Sequence, residues 1–342
     1  MKKNLLDLSY ESLGRELIEM GLPSFKTGQI WEWLYRKNTF DFNGMTDLSK
    51  EHREVLAEKY AVHLPKIVGK QKSIDGTEKF LMEMEDKKLV ECVLMEYSYG
   101  HSLCISSQVG CRMGCVFCAS GQSGYERNLT PGEMTGQILS VGRETGKHVS
   151  RIVIMGMGEP FDNYENVVSF IGIAMSPKGL NIGGRKITVS TCGIVPGIRA
   201  FTGLGMQVNL SVSLHQADNR KRDAMMPINR KYPLDMLMEA CREYVEKTNR
   251  RISFEYALIP GLNDDAQSAR ALCVLLSGIL CYINIIPVNN TGTSITRSAG
   301  NQAKISEFCG ILKKQGFHTT VRRELGNDID AACGQLKRRH TL

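Results

Sequence analysis

The polarity of the leading part of the chain repeats in the manner of short amphipathic helices. Leu13, Leu17 and Met20 recur at helical spacing, and Ile30, Trp31 and Leu34 resume a stripe after the break at Gly21-Leu22-Pro23. Asp47 or Ser49 offers an N-cap for a third helix holding Val55 and Leu56. Beyond Pro65 the pattern turns strand-like. Lys79–Met84, a charged turn at Glu85-Asp86-Lys87-Lys88 and Leu89–Met95 predict a β-hairpin. From about Tyr97 onward, strand-like runs alternate with helical patterns. The predicted strands are Ser102–Ser106, Arg151–Met155, Lys186–Ser190, Val208–Ser213, Ile252–Ile259, Tyr282–Val288 and His318–Arg322. Between the first two, Thr130-Pro131-Gly132-Glu133 supplies an N-cap, a proline at the first helical position and a glutamate two residues on. This is an α/β chain of six or seven βα units, a barrel complete or open, whose ligands gather at the C-terminal ends of the strands. Three regions follow: a helical module over 1–64, a connecting β-hairpin over 65–96 and a barrel with its C-terminal segment over 97–342.

Composition narrows the class. Of 342 residues, 42% are hydrophobic and 23% charged, which excludes a mainly disordered or collagen-like chain. The net charge of +7 divides into −2 over residues 1–96 and +9 over the rest, inviting a polyanionic partner for the larger part. Met1–Asp7 has no apolar signal core. The most apolar stretch, Ala271–Val288, is broken by Ser277, Gly278, Asn284 and Pro287, and reads as helix, turn and buried strand rather than a membrane span. Eleven cysteines are too sparse for a disulfide scaffold and odd in number, so the expectation is a cytosolic chain whose thiols are reduced, bind metal or do chemistry.

Three of those thiols, Cys111, Cys115 and Cys118, share the loop Gly110-Cys111-Arg112-Met113-Gly114-Cys115-Val116-Phe117-Cys118 after the first barrel strand. Three thiolates can hold three corners of a cubane iron–sulfur cluster and leave the fourth iron open for a substrate. A structural zinc site is the plainer reading, although such sites take four ligands and no second cysteine pair is present; three packing cysteines is the third.

With its C-x3-C-x2-C spacing and aromatic Phe117, the loop resembles the radical S-adenosylmethionine superfamily. Gly156-Met157-Gly158-Glu159-Pro160 after the second strand and Asp328-Ile329-Asp330-Ala331-Ala332-Cys333-Gly334-Gln335-Leu336 near the end bring it closer to the RlmN/Cfr methyltransferases. Gly28-Gln29-Ile30-Trp31 and Met45-Thr46-Asp47-Leu48-Ser49-Lys50 extend that likeness to the leading module. The resemblance implies a partial (β/α)6 barrel, a [4Fe-4S] cluster and S-adenosyl-L-methionine as cofactors, and an RNA-recognition role for the helical module. It implies methylation of adenosine carbon 2 in 23S rRNA and at position 37 of tRNAs, a flavodoxin-like electron donor, a cytoplasmic monomer and no membrane. By the same resemblance, Cys333 is methylated by one S-adenosylmethionine, and a radical from a second abstracts hydrogen from that methyl. The carbon then adds to the base, Glu91 accepts the proton, and Cys104 resolves the adduct through a transient disulfide with Cys333. Gly158 and Glu159 receive the methionine amino group, while Ser190, Ser213, Leu214, His215 and Asn289 match ribose, carboxylate or adenine contacts.

Taken without the family, several of these residues have blander readings. Cys104 lies in an apolar strand and reads as core. Glu91, inside Leu89-Val90-Glu91-Cys92-Val93, reads as a base or as half of a structural ion pair. His215 reads as a structural histidine. Cys92, Cys192, Cys241, Cys273, Cys281 and Cys309 read as packing. Arg220-Lys221-Arg222, Arg250-Arg251, Arg322-Arg323 and Lys337-Arg338-Arg339 are candidates for phosphate contact, which positions RNA without choosing a base. Two other functions compete: methylation of adenosine carbon 8, as in the Cfr sister group, and a non-catalytic zinc RNA-binding module.

Overall fold

A computed structural model describes residues 2–122, 124–287, 302–323, 325–331 and 334–336. Ten strands form one sheet in which spatial order follows chain order. They are β1 (Lys66–Lys72), β2 (Glu78–Glu83), β3 (Leu89–Tyr97), β4 (Gly100–Cys104), β5 (Val149–Ile154), β6 (Ile187–Thr191), β7 (Asn209–Ser213), β8 (Ile252–Leu258), β9 (Cys281–Pro287) and β10 (Thr319–Val321). From β4 to β10 every neighbouring pair is parallel. A crossover helix lies between each, α4 (Pro131–Thr145), α5 (Tyr164–Met175), α6 (Val195–Gly203), α7 (Leu234–Thr248), α8 (Ala266–Leu275) and α9 (Gln302–Lys314), with short helices at Ala119–Gln122 and Asn219–Met225 in the first and fourth connections. Such crossovers cover the outer face, and the sheet curls around an inner face that carries the site. Helices α1 (Tyr10–Glu19), α2 (Lys26–Tyr35) and α3 (Lys50–Lys59) precede β1.

The hairpin expected of Lys79–Met84 and Leu89–Met95 is present as β2 and β3, and residues 65–96 also join the barrel sheet. They supply β1, β2 and β3, which pair antiparallel and join β4, so the barrel sheet continues without a break into this part of the chain. The added strand, β1, is half-exposed and reads Lys-Ile-Val-Gly-Lys-Gln-Lys, too polar for the alternation that marked its neighbours. Its edge position explains the lysines, which keep an open strand edge soluble.

The leading module builds a core of its own from α1 (Tyr10–Glu19), α2 (Lys26–Tyr35) and α3 (Lys50–Lys59). Leu13, Leu17, Ile30, Trp31, Leu34 and Leu56 fill it, and Leu139 of α4 and Ile173 of α5 complete it from the barrel side. Ser49 caps α3 by accepting from His52 N at 3.2 Å. The α4 cap is the full capping box expected of Thr130 and Glu133. That helix start also anchors the module: Gly132 N donates to Asp7 Oδ1 at 2.8 Å, in a contact where a Cβ on Gly132 would lie 2.7 Å from the same oxygen. Among the described residues no helix is long and apolar enough to cross a membrane.

Candidate active site at the mouth of the barrel

The segment after β4 turns sharply at two glycines, Gly110 (φ +76°) and Gly114 (φ +67°), and the three cysteines sit on this turn. Val116 N donates to Met225 O at 3.0 Å. Arg112 ties the loop to the next strand's turn through Asp162 (2.9 Å) while its guanidinium lies over Tyr125. Cys111, Cys115 and Cys118 all line one cavity, together with Gly158, Glu159, Ser190, Ser213 and His215. Its volume, ≈ 160 Å³, is roughly ten times what one water needs. Burial pushes the Cys111 thiol up to about 12 and Cys115 well above its ordinary value. Thiolates there therefore call for positive charge in the cavity, which the irons of a cluster supply on binding. Among the described residues no three His, Cys, Asp or Glu side chains converge on one point. A single ion held by all three cysteines would need them drawn together.

The second strand's turn forms the opposite wall. Gly158 has φ +106°, and a Cβ there would lie 2.6 Å from Gln108 Cβ. Met157 O accepts from Ser107 N and Gln108 N (2.8 and 3.1 Å), and Glu159 N donates to Gln108 Oε1 at 2.9 Å, so this turn is pinned to the one carrying the cysteines. Glu159 is buried, and desolvation pushes its carboxyl up. Its oxygens accept from Phe161 N (3.0 Å) and Cys192 N (2.7 Å), and the Thr191 and Cys192 side chains bond to it as well, so the end of β6 fixes the carboxyl at the cavity.

At the ends of β6 and β7, the site takes in residues that sequence reasoning had placed elsewhere. Cys192, grouped with the packing cysteines, lines the cavity and clusters with Cys115 and Phe117. Arg222, a candidate for phosphate contact, is fully buried. Its guanidinium donates to Leu214 O (3.1 Å), Ser213 O (3.2 Å), Cys192 O (2.7 Å) and Asn229 Oδ1 (2.8 Å). It is a clamp on two strand ends, and its burial keeps it from RNA. Leu214 points its side chain into the hydrophobic core, away from the cavity. His215 adopts φ +59°, a left-handed conformation uncommon for a non-glycine residue, and packs edge-on against Phe117 at 4.7 Å. Its Nδ1 accepts from Ala257 N at 2.9 Å, so in the neutral ring Nε2 carries the proton. Burial, with Arg222 nearby, pulls its pKa down to about 3.

Glu255 and Arg322 also line the cavity. Ser211 Oγ and Asn284 Nδ2 donate to Glu255 Oε1 (2.9 and 2.8 Å), and Arg322 Nη1 approaches Oε2 at 3.9 Å. Arg322 thus faces the cavity beside a barrel carboxylate. Glu255 had no sequence signal beyond its place in a strand, and Arg322 was marked only as half of a basic pair.

Toward β2–β4, residues paired in register point to one face. Lys79 pairs with Val93, and Val93 with Cys104. Glu91 pairs with Leu81, one alternation along, so Lys79, Glu91 and Cys104 share the inner face. Glu91 is buried and ion-paired with Lys79 at 3.5 Å, the structural alternative its sequence setting had left open. Asn289 and Cys333 lie outside the described residues. The neighbours of Cys333 are described: Gly334 lines the cavity, its carbonyl accepting from Ala119 N at 2.8 Å, just past Cys118.

A strand-end cavity presenting three cysteines on a C-x3-C-x2-C turn is the arrangement of a radical S-adenosylmethionine enzyme. The profile of the radical SAM superfamily matches residues 105–272, and that of the ribosomal RNA large subunit methyltransferase N-terminal domain matches residues 3–62. The crystal structure of a radical SAM methyltransferase from Sphaerobacter thermophilus superposes with a TM-score of 0.94 at 41% identity, covering 98% of this chain and all of that one. Proteins named "Probable dual-specificity RNA methyltransferase RlmN" match over nearly full length. The one from Clostridium novyi is 45% identical across 99% of this chain and 98% of its own. The one from Geobacillus kaustophilus is 47% identical across 98% and 92%. The chain belongs to the RlmN family of radical S-adenosylmethionine RNA methyltransferases. The cofactors of this class are a [4Fe-4S] cluster and S-adenosylmethionine, and the three thiols facing one cavity fit the cluster.

Proposed function

We propose that the chain methylates carbon 2 of adenosine, at position 2503 of 23S ribosomal RNA in the peptidyl transferase centre and at position 37 of tRNAs. We further propose that it works as a cytoplasmic monomer fed by a flavodoxin-type donor. The observation that carries this reading is the convergence of the three-cysteine turn, the Gly158-Glu159 turn and Gly334, the neighbour of Cys333, on one cavity.

Carbon 2 lies between two ring nitrogens and is electrophilic, so it does not displace a methyl group from a sulfonium. When bound, the cluster and S-adenosylmethionine supply radical chemistry at carbon, which removes that obstacle. The chain supplies the other parts. Cys333 carries the one-carbon unit on its sulfur. Glu91 takes the proton from carbon 2 once the new carbon–carbon bond is in place, and the adduct's unpaired electron would leave at the same stage to the one-electron centre that Cys111, Cys115 and Cys118 would hold, restoring a closed-shell base. The Cys104 thiolate then attacks the Cys333 sulfur. A sulfur–sulfur bond forms, the carbon–sulfur bond breaks, and its electron pair stays on the base-borne carbon, which takes up a proton to become methyl. Gly158 and Glu159 bind the methionine amino group, with Ser190, Ser213 and His215 around the rest of that ligand.

Ribosomal RNA from cells with and without the gene, digested to nucleosides and separated against both isomers by mass spectrometry, tests the reading. Gene-dependent 2-methyladenosine is expected; gene-dependent 8-methyladenosine in its place overturns it. Intact-mass and peptide analysis of the purified protein is expected to find one added methyl on Cys333.

A further inference from the structure

The described residues on either side of Cys333 are held by two separate parts of the fold. On one side, the turn between β1 and β2 receives the chain: Asp328 accepts from Ser73 Oγ at 2.5 Å and Ile74 N at 3.3 Å, and Gly326 N donates to Asp75 Oδ2 at 2.9 Å. On the other, Ser120 Oγ donates to Leu336 O at 3.0 Å, beside the bond between Ala119 and Gly334. Lys79 stands where the first path crosses the buried carboxylate. Its ammonium is 3.5 Å from Glu91 Oε1 and donates to Asp330 O at 3.4 Å, three residues before Cys333.

Lys79 and Glu91 are 7% and 5% exposed. A buried ion pair is weak support for stability, because desolvating both charges offsets most of their attraction, and apolar replacements are often as good. Neighbouring positions on the same face, Leu81 and Val93, are apolar. An ammonium set among them, reaching both a carboxylate and the backbone of a distant segment, is better explained by what it aligns.

We propose that Lys79 is a positioning residue that ties the carboxylate of Glu91 to the segment carrying Cys333, fixing the register between base and sulfur during methyl transfer. This rests on the roles given to Glu91 and Cys333 above. Asp328 is the outer fastening of the same register.

The test uses the full chain with its cluster reconstituted, in three variants. Lys79→Met keeps the apolar stem and removes the charge, Lys79→Arg restores a cation with donors, and Asp328→Asn, on the exposed side, keeps the size of the outer fastening and weakens its hydrogen bonds. Iron content is measured first, then kcat and KM for an unmodified tRNA transcript. A misplacement of about 1 Å costs up to roughly a hundredfold in rate. Lys79→Met is therefore expected to retain iron and lose roughly ten- to a hundredfold in kcat, with KM within about twofold. Lys79→Arg is expected to recover most of that loss, and Asp328→Asn to lower kcat several-fold at unchanged KM. Wild-type kcat in Lys79→Met, or an arginine variant that holds iron yet is no better than methionine, overturns the proposal. Should Lys79→Met fail to hold iron, Asp328→Asn decides, and wild-type kcat there overturns it too. Wild-type protein that forms no 2-methyladenosine defeats the proposed function itself, and this inference with it.

Discussion

Two buried side chains near the cavity carry sequence-level ambiguity, and each is decided by what its atoms touch. Arg222 spends its guanidinium on three backbone carbonyls and one side-chain amide. His215 accepts a backbone N–H at Nδ1 and is held neutral, with its pKa at about 3 against 6.5 for an ordinary histidine. The unfolded chain binds a proton at this ring as pH falls below 6.5, whereas the folded chain does not. The folded form is therefore favoured fully above pH 6.5 and loses about 1.4 kcal/mol per pH unit below it until about pH 3. Asparagine can present an acceptor in place of Nδ1 and tolerates left-handed φ. In urea titrations of the apoprotein, His215→Asn is expected to lose stability less steeply between pH 6.5 and 4, by about one proton's worth. An unchanged slope contradicts the neutral assignment. At Cys104 the expectation concerns chemistry: Cys104→Ala leaves the adduct without its resolving thiol. The purified variant is expected to carry RNA covalently, seen as a nuclease-sensitive species on denaturing gels. A variant that holds its iron and stays free of RNA removes Cys104 from the reaction.

At the scale of elements, the turns after β4 and β5 act as one unit, because backbone and side-chain bonds join residues 107–108 to Met157 and Glu159. Gly158→Ala forces a Cβ against Gln108 at a φ that alanine resists, a cost of about 3 kcal/mol or more. Loss of activity with a lowered melting temperature is expected, and wild-type behaviour in both would show that the turn adapts. The barrel strands were legible in the sequence because each is an apolar run between turn signals, and all seven predicted runs coincide with β4 to β10 within one or two residues at most ends. The cysteine turn was legible because spacing alone marks it. Cys192 was hidden, since a cysteine at the end of an apolar strand looks the same whether it faces a core or a cavity. Arg222 was hidden in a charged run, where composition gives no sign that one member turns inward. The joining of β1–β3 to the barrel depended on β3 meeting β4, a pairing between two ordinary strands that no local pattern announces.

For the whole molecule, a sheet whose spatial order follows chain order pairs each strand with the one before it in the chain. Each crossover unit needs only its predecessor in the chain to dock, although every parallel pairing must first close the loop of its crossover. The stretch from Leu325 to Leu336 is the exception: Asp328 bonds to Ser73 across 255 residues, and Leu336 to Ser120 across 216. Since those bonds lie outside the strand ladder, ending the chain at Arg323 is expected to leave the barrel folded with its iron content unchanged, while methyl transfer is abolished. Loss of iron in that truncation would mean that the C-terminal segment also secures the cysteine turn.

In the order of synthesis, the thiol turn, the buried glutamate and its lysine all leave the ribosome long before residue 333. A nascent chain can hold a folded barrel before the proposed one-carbon carrier has been made, and the last stitch comes when the tail reaches back to a turn made more than two hundred residues earlier.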